Sequence, residues 1–361
     1  MYQNYKVVVN TAAGRRRYMQ YLVPPILNAD IVDRYDIWVN TRNMVDIEFF
    51  KKLAQKYPKV NLVWQPDGVV NGIASINAFY RDCCDKDTIY MKLDDDVVWF
   101  EPELFEKMVK FRVDNPEYFL VSPLVINNAL STYLLQVHNK IKLDKYYMSI
   151  CGERTICFDG WFAADLHDWF MEKYLIAGKY QELYVGKHPM GMARFSINCV
   201  LWFGNEMAEF KGEVPGDDEE FLSCIKPTQL GKANCFNGDA LIAHFAFGPQ
   251  REGLDKMDIL NRYGKILHDL WKQDESMREI DISVQQMIKK VEAREAELNS
   301  LPSPYKCIPK VKVPFFMRLG KKLPEKVRCA IRELQRKHRP IIRYGRCNNC
   351  KKNRIEKTNI L

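Results

Sequence analysis

The chain of 361 residues predicts an α/β fold, a mixed and mostly parallel sheet flanked by helices. Three observations carry that expectation. Short apolar runs alternate with stretches of helical spacing through the first hundred residues, a rhythm that argues for parallel strands joined by right-handed crossovers. The run Thr88-Ile89-Tyr90-Met91-Lys92-Leu93 then ends in three consecutive carboxylates, Asp94, Asp95 and Asp96. Open α/β sheets gather their ligands at the carboxyl ends of strands, where these acids would sit. The hydrophobic content of 47% is that of a globular protein, and no apolar run is long enough to cross a membrane.

In order, Tyr5–Asn10 reads as the first strand, with Thr11-Ala12-Ala13-Gly14-Arg15-Arg16-Arg17 as the loop leading to a helix over Tyr18–Leu27. Small residues there allow close backbone approach, N–H groups at a helix start attract anions, and one of the three arginines is placed to meet a phosphate; the plain alternative is a basic surface turn. A second strand, Asp36–Asn40, precedes a helix over Asp46–Tyr57 whose apolar face includes Ile47, Phe50, Leu53 and Ala54. Val60–Trp64 is the third strand, closed by the turn Gln65-Pro66-Asp67-Gly68. A helix over Asn71–Cys83 leads into the acidic strand, Glu101-Pro102-Glu103 opens another helix, and Tyr118–Pro123 is a further strand. Residues 127–190 lose periodicity and collect aromatics, Tyr146, Phe158 and Trp161 among them. Such rings suit the apolar faces of sugars, though packing of a loop-rich insert is the favoured explanation of any single one. Strands return at Ser196–Phe203 and Ala240–Gly248, helical spacing marks Leu254–Trp271 and Ile282–Leu298, and Leu301-Pro302-Ser303-Pro304 breaks the chain before a tail.

Three adjacent carboxylates in a crevice repel one another and call for a cation. Their oxygens suit hard divalent ions, Mg²⁺ or Mn²⁺, which share their shell with substrate phosphates. Lys92 is placed either to meet such a phosphate or to pair with Asp94 or Asp96. The segment Tyr90-Met91-Lys92-Leu93-Asp94-Asp95-Asp96-Val97 resembles the Asp-x-Asp strand of glycosyltransferases with the GT-A fold, a Rossmann-like architecture, in the form found in fringe-like, galactosyltransferase-like and family 2-like enzymes. The resemblance spans about residues 4–250, in short spaced motifs. It implies a nucleotide-sugar donor contacted by Thr11, Arg15, Asn40, Asp67, Lys92, Asp94 and Asp95, with Mn²⁺ or Mg²⁺ on Asp96 and Asp94. His244 alone in an apolar run reads as a satisfied core histidine, whereas the resemblance puts a C-terminal histidine in the metal shell. A second motif, Asp217-Asp218-Glu219-Glu220-Phe221 after Pro215-Gly216, resembles the Glu-Asp-x-Glu-Leu motif of inverting GT-A enzymes. Its second acid is the base, which carries over to Asp218; the first residue is Asp and the last Phe here, so Asp217 and Glu219 stay open. Helix capping is the other explanation of these acids.

These readings divide the chain into a catalytic domain over 1–250 (donor half about 1–125, acceptor half about 126–250), a helical appendix over 251–300, and a basic amphipathic tail over 301–361. Eighteen of the 54 basic residues and three of the 46 acidic ones lie in that tail, leaving 36 basic against 43 acidic groups before it. Leu323, Val327, Ile331 and Leu334 share a face edged by Lys326, Arg328, Arg332 and Arg336, which suits an anionic membrane surface; nucleic acid is the disfavoured partner. The eleven scattered cysteines fit reduced core thiols, and Cys347-Asn348-Asn349-Cys350 is a lone pair without a partner motif. Met1–Lys6 runs into the first strand without a signal-peptide apolar region, so a cytoplasmic protein is expected, peripheral on the inner face of the membrane. The expected function is metal-dependent, inverting glycosyl transfer from a nucleotide-diphosphate donor to a hydroxyl of a glycan or lipid-linked acceptor, in cell-surface glycan synthesis. One alternative is a sugar-phosphate nucleotidylyltransferase, whose first-loop signature Ala12-Ala13-Gly14-Arg15 matches only in part. Another is a non-enzymatic binding module for membrane or nucleic acid that works through the tail.

Overall fold

The computed structural model describes residues 1–70, 73–149, 151–191 and 193–306, together with two short strands, Tyr344–Arg346 and Asn353–Ile355. Nine strands form one sheet: β1 Lys6–Ala13, β2 Arg34–Val39, β3 Val60–Val63, β4 Thr88–Leu93, β5 Val97–Phe100, β6 Val121–Ile126, β7 Lys187–Gly191, β8 Cys199–Phe203 and β9 Asn234–His244. Their order is β3-β2-β1-β4-β8-β6-β9-β5, with β7 also paired to β9. β1 to β4, β6 and β9 run one way; β5, β7 and β8 run against them. The result is the mixed, mostly parallel sheet of a Rossmann-like fold.

Alternation of side chains along each strand divides the interior into two layers. Val8 of β1, Tyr90 of β4 and Trp202 of β8 enter one core; Val7 and Val9, Ile89 and Met91, and Leu201 enter the other. Both layers are covered by helices, which is why central strands such as β4 are buried at every position. Helix Met44–Lys56 covers the second layer and is capped by Asn43, whose side chain accepts from the N–H groups of Val45 and Asp46. Helix Glu275–Glu292 joins the same layer through Val284, Met287, Ile288 and Val291. Its Gln285 meets Gln20 at 3.1 Å and its Glu292 meets Arg16 at 3.4 Å, both on helix Arg16–Asn28.

Several boundaries differ from the sequence reading. The first helix begins at Arg16, so Arg16 and Arg17 belong to it and Arg15 alone stays in the loop. The apolar residues after Asp96 form β5 rather than the approach to a helix, which starts at Leu104. The stretch 71–83 contains a short helix, Ile73–Ile76, and a three-residue-per-turn helix, Asn77–Asp82. Residues 127–190 hold helices Ala129–Val137, Arg154–Phe158 and Gly160–Phe170, which bury residues on several faces and so hide their period. The helix expected over Leu254–Trp271 is two, Arg251–Lys256 and Ile259–Trp271, parted where Asp258 takes a left-handed φ of 56°. The helix expected over Ile282–Leu298 begins at Glu275 and stops at Glu292, before a short one at Glu295–Ser300. The cysteines among the described residues are free thiols, and no described helix is long and apolar enough to cross a membrane. The amphipathic segment over 323–336 and the pair Cys347 and Cys350 lie outside the described residues.

Candidate metal centre and active-site crevice

The carboxyl ends of β1, β2, β4 and β9 and the amino end of the antiparallel β8 meet at one edge of the sheet. A cavity of about 480 Å³ opens there, lined by Gly14, Arg15, Asn40, Lys92, Asp94, Asp95, Asp96, Asn198, Asp218, Glu219, His244 and Arg251 among others.

The three aspartates form the turn between β4 and β5. The Val97 N–H donates to the Asp94 carbonyl at 3.3 Å, and the Phe245 N–H to the Asp96 carbonyl at 2.8 Å, which ties the turn to the end of β9. β5 pairs antiparallel with β9, opposing Val97 to His244, and so sets the imidazole beside Asp96. Each carboxylate has a different task. Asp94 is the most open, its side chain 32% exposed; it accepts from Lys92 Nζ at 2.6 Å and from Asn198 Nδ2 at 3.0 Å. Asp95, which also lines the cavity, is bonded to the β1 loop. It accepts from the Gly14 N–H at 2.8 Å and is held by the Arg15 guanidinium, with Nε at 3.1 Å. Gly14 suits this approach: a Cβ there would stand 3.3 Å from the Asn40 carbonyl oxygen and 3.5 Å from Asp95. Asp96 receives Arg15 Nη2 at 3.0 Å, His244 Nε2 at 3.3 Å and Arg251 Nη2 at 3.6 Å.

These neighbours set the charge states. Burial works to raise the pKa of Asp96, but His244, Arg15 and Arg251 outweigh it and hold the carboxyl below its ordinary range. For Asp95 burial prevails over Arg15, and the shift is upward. Burial disfavours the His244 imidazolium, yet Asp96 at its side pushes the net shift upward. Lys92, fully buried, is likewise raised: Asp94 and then Asp218 overcome its desolvation.

Asp94, Asp96 and His244 each offer a ligand atom, all within 4.8 Å of one another. Two carboxylates and one imidazole fit a divalent cation, and the cations now beside Asp96 answer the same local excess of negative charge. The sequence-derived triad is therefore assembled. Arg15, Asn40, Lys92, Asp95, Asp218 and Glu219 line the same cavity. Three other expected residues lie off it. Thr11 is wholly buried within β1. Asp67 is exposed on the turn after β3. Asp217 caps helix Asp218–Glu220 by accepting from the Glu220 N–H at 3.2 Å and pairs with Arg194 at 2.9 Å.

Asp218 lines the same cavity as Asp94, Asp96 and His244. It is buried, accepting from the Tyr80 hydroxyl at 2.9 Å and from the Glu219 N–H at 3.0 Å. Tyr80 keeps its proton, because burial and then the Asp218 charge push its pKa well up. Glu219 accepts from Arg194 Nε at 3.1 Å and from the Cys151 thiol at 2.6 Å. Arg251, Asn198 and Tyr80 were not marked by the sequence reading. Asn198 lies inside the strand expected over Ser196–Phe203, which in the structure begins one residue later at Cys199, and Arg251 stands two residues after Gly248-Pro249; neither carries another local signal.

No family model matches the sequence, nor does any curated protein. Among solved structures, CMP:2-keto-3-deoxy-manno-octonic acid synthetase complexed with CTP aligns at 9% identity and a TM-score of 0.39, covering 72% of this chain and 99% of that one. 4-diphosphocytidyl-2C-methyl-D-erythritol synthase from Anaerococcus prevotii aligns at 14% identity and a TM-score of 0.26 over 34% of this chain and 56% of that one. Mannose-6-phosphate isomerase from Helicobacter pylori aligns at 12% and 0.32, over 70% and 88%. With TM-scores this low, none of the three decides what the crevice does.

Proposed function

We propose that the chain is a metal-dependent glycosyltransferase of GT-A type, using a nucleotide-diphosphate sugar. The observation that carries the proposal is a metal-ligand triad and a buried carboxylate, Asp218, facing one cavity. Asp94, Asp96 and His244 would hold Mn²⁺ or Mg²⁺, which when bound supplies charge neutralisation for the donor's diphosphate. Lys92 and Asn198 keep the Asp94 carboxylate oriented. Arg15 and Arg251 bring guanidinium groups to the same place, suited to phosphate oxygens. Asp218 takes the proton of the acceptor hydroxyl as general base. The acceptor oxygen bonds to the anomeric carbon as the bond from that carbon to the diphosphate oxygen breaks, and the nucleoside diphosphate leaves with the electron pair. Attack on the face opposite the leaving group inverts the anomeric centre. The acceptor in this proposal is a glycan or lipid-linked hydroxyl, with the cationic segment after residue 300 bringing the crevice to an anionic membrane surface.

A second reading is sugar-phosphate nucleotidyl transfer. Two arginines beside the triad favour it, since a nucleoside triphosphate carries more charge than a diphosphate sugar. One assay separates the two. The full chain is incubated with Mn²⁺ and UDP-glucose, UDP-galactose, GDP-mannose or UDP-N-acetylglucosamine plus mixed glycan acceptors, and separately with nucleoside triphosphates plus sugar phosphates. Release of free nucleotide with a glycosylated acceptor supports glycosyl transfer. Pyrophosphate release from the triphosphates, with the nucleotide-sugars left intact, replaces it by the second reading.

A further inference from the structure

The helix Asn77–Asp82 lies against the turn that presents Asp218, and two of its side chains reach that turn. Asn77 Nδ2 donates to the carbonyls of Val214 and Gly216, both at 2.8 Å. Tyr80 donates its hydroxyl to Asp218 Oδ2 at 2.9 Å. In a helix of three residues per turn, positions i and i+3 fall on one face, so both residues address the same neighbour. The backbones also touch: Gly212, at a left-handed φ of 63°, passes so close to the Tyr80 carbonyl that a Cβ there would collide with it. The Tyr80 ring is wholly buried between Phe79, 4.2 Å away between centroids, and Trp202, 5.8 Å away. Phenylalanine would fill that space as well. The hydroxyl is the only polar atom the ring brings, and a buried hydroxyl must find a partner. Its partner is a carboxylate of the crevice. The other oxygen of that carboxylate is held by the N–H of Glu219.

We infer that Tyr80 is a positioning residue for Asp218, fixing the plane of the carboxylate from the body of the fold while Asn77 fixes the backbone turn that carries it. The inference rests on the reading of Asp218 as the base. A base must stand within hydrogen-bond reach of the proton it takes, and displacements of about an ångström cost turnover steeply. Tyr80 touches no reacting atom, so its whole effect passes through Asp218.

The test is a double-mutant cycle on the full chain, with Mn²⁺ and whichever nucleotide-sugar of the four above turns over. Tyr80→Phe lowers kcat about ten- to a hundredfold while KM for the donor changes by no more than about twofold. In the Asp218→Asn background the same substitution costs nothing further, because the group it positions is already gone. Equal losses in both backgrounds, or wild-type kcat in Tyr80→Phe, overturn the inference. Full turnover in Asp218→Asn alone overturns the base assignment instead, and absence of turnover with every donor removes the reading of the crevice and the inference with it. Should Tyr80→Phe fold poorly by thermal melt, Asn77→Ala runs the same cycle with the same expected outcomes.

Discussion

The two acidic clusters of the crevice look alike in sequence and are built in opposite ways. Asp94-Asp95-Asp96 is ringed by basic groups, with Lys92 on the first, Arg15 on the second, and Arg15, His244 and Arg251 on the third. Asp217-Asp218-Glu219-Glu220 has one arginine, Arg194, shared among Asp217, Glu219 and Glu220, and a neutral phenol on Asp218. The first cluster is charge-balanced in a way that a metal and phosphates can exchange into. The second leaves one carboxylate, Asp218, without a cation partner among its hydrogen bonds, which suits the base role proposed for it. Neighbouring acids are thus sorted by what each side chain is aimed at, not by their spacing along the chain.

The largest effect expected comes from within the first cluster. Asp96→Ala removes one of the proposed metal ligands and should lower turnover by about a thousandfold or more, and should abolish the rise in melting temperature expected of the wild type with Mn²⁺. Asp95→Asn should keep that Mn²⁺ response, because Asp95 is bonded to the β1 loop, yet lose about 1 kcal/mol of stability, since Arg15 gives up its bonds to Asp95 but keeps Asp96 as a partner. A thermal-shift titration reads both. If Asp95→Asn loses the Mn²⁺ response and Asp96→Ala keeps it, the assignment of roles within the turn is reversed.

The contrast also explains what the sequence could disclose. The acidic strand was legible because its apolar run and its carboxylates are contiguous, and the β1 to β4 half followed from simple periodicity. The break at Asp94–Asp96 was not, since Val97-Val98-Trp99-Phe100 continues the apolar character and only pairing with β9 turns it into a separate strand. Thr11 and Asp217 were named by position in a motif, whereas their burial in β1 and use as a cap depend on which way each side chain points. Asn198 and Tyr80 reach their carboxylates across 104 and 138 residues of chain, and no local pattern records such a contact.

The first cluster is supported by a buried histidine, and pH should expose it. His167 Nε2 lies 2.9 Å from the Phe245 carbonyl, on the residue whose N–H holds Asp96, and Nδ1 lies 2.9 Å from the Tyr263 hydroxyl. A carbonyl only accepts, so Nε2 carries the proton and the neutral ring is satisfied at both nitrogens. Burial lowers its pKa to about 4. The unfolded state therefore protonates first as pH falls, and the stability contributed by the neutral ring is complete above about 6.5 and lost toward 4. Asp168, raised by burial to about 6 in spite of Arg262, opposes this slope: stability it gives at low pH is lost as pH rises. Comparison with His167→Gln cancels the Asp168 contribution. The stability advantage of the wild type, measured by urea unfolding, should shrink by about 3 kcal/mol between pH 7 and pH 4. An advantage independent of pH would mean that His167 is not buried neutral.

The smallest effect expected sharpens the second cluster. Asp217 stands next to Asp218 in sequence but serves as a helix cap and as a half-exposed partner of Arg194. Loss of such a cap costs about 1 kcal/mol, and an exposed ion pair adds little. Asp217→Ala should therefore melt slightly lower and turn over within about threefold of wild type, since Asp218, the proposed base beside it, is held independently by Tyr80 and the Glu219 N–H. Steady-state assays of the variant decide the matter. A collapse of kcat as deep as that of Asp218→Asn would make Asp217 the base and move the acceptor to the outer face of the helix.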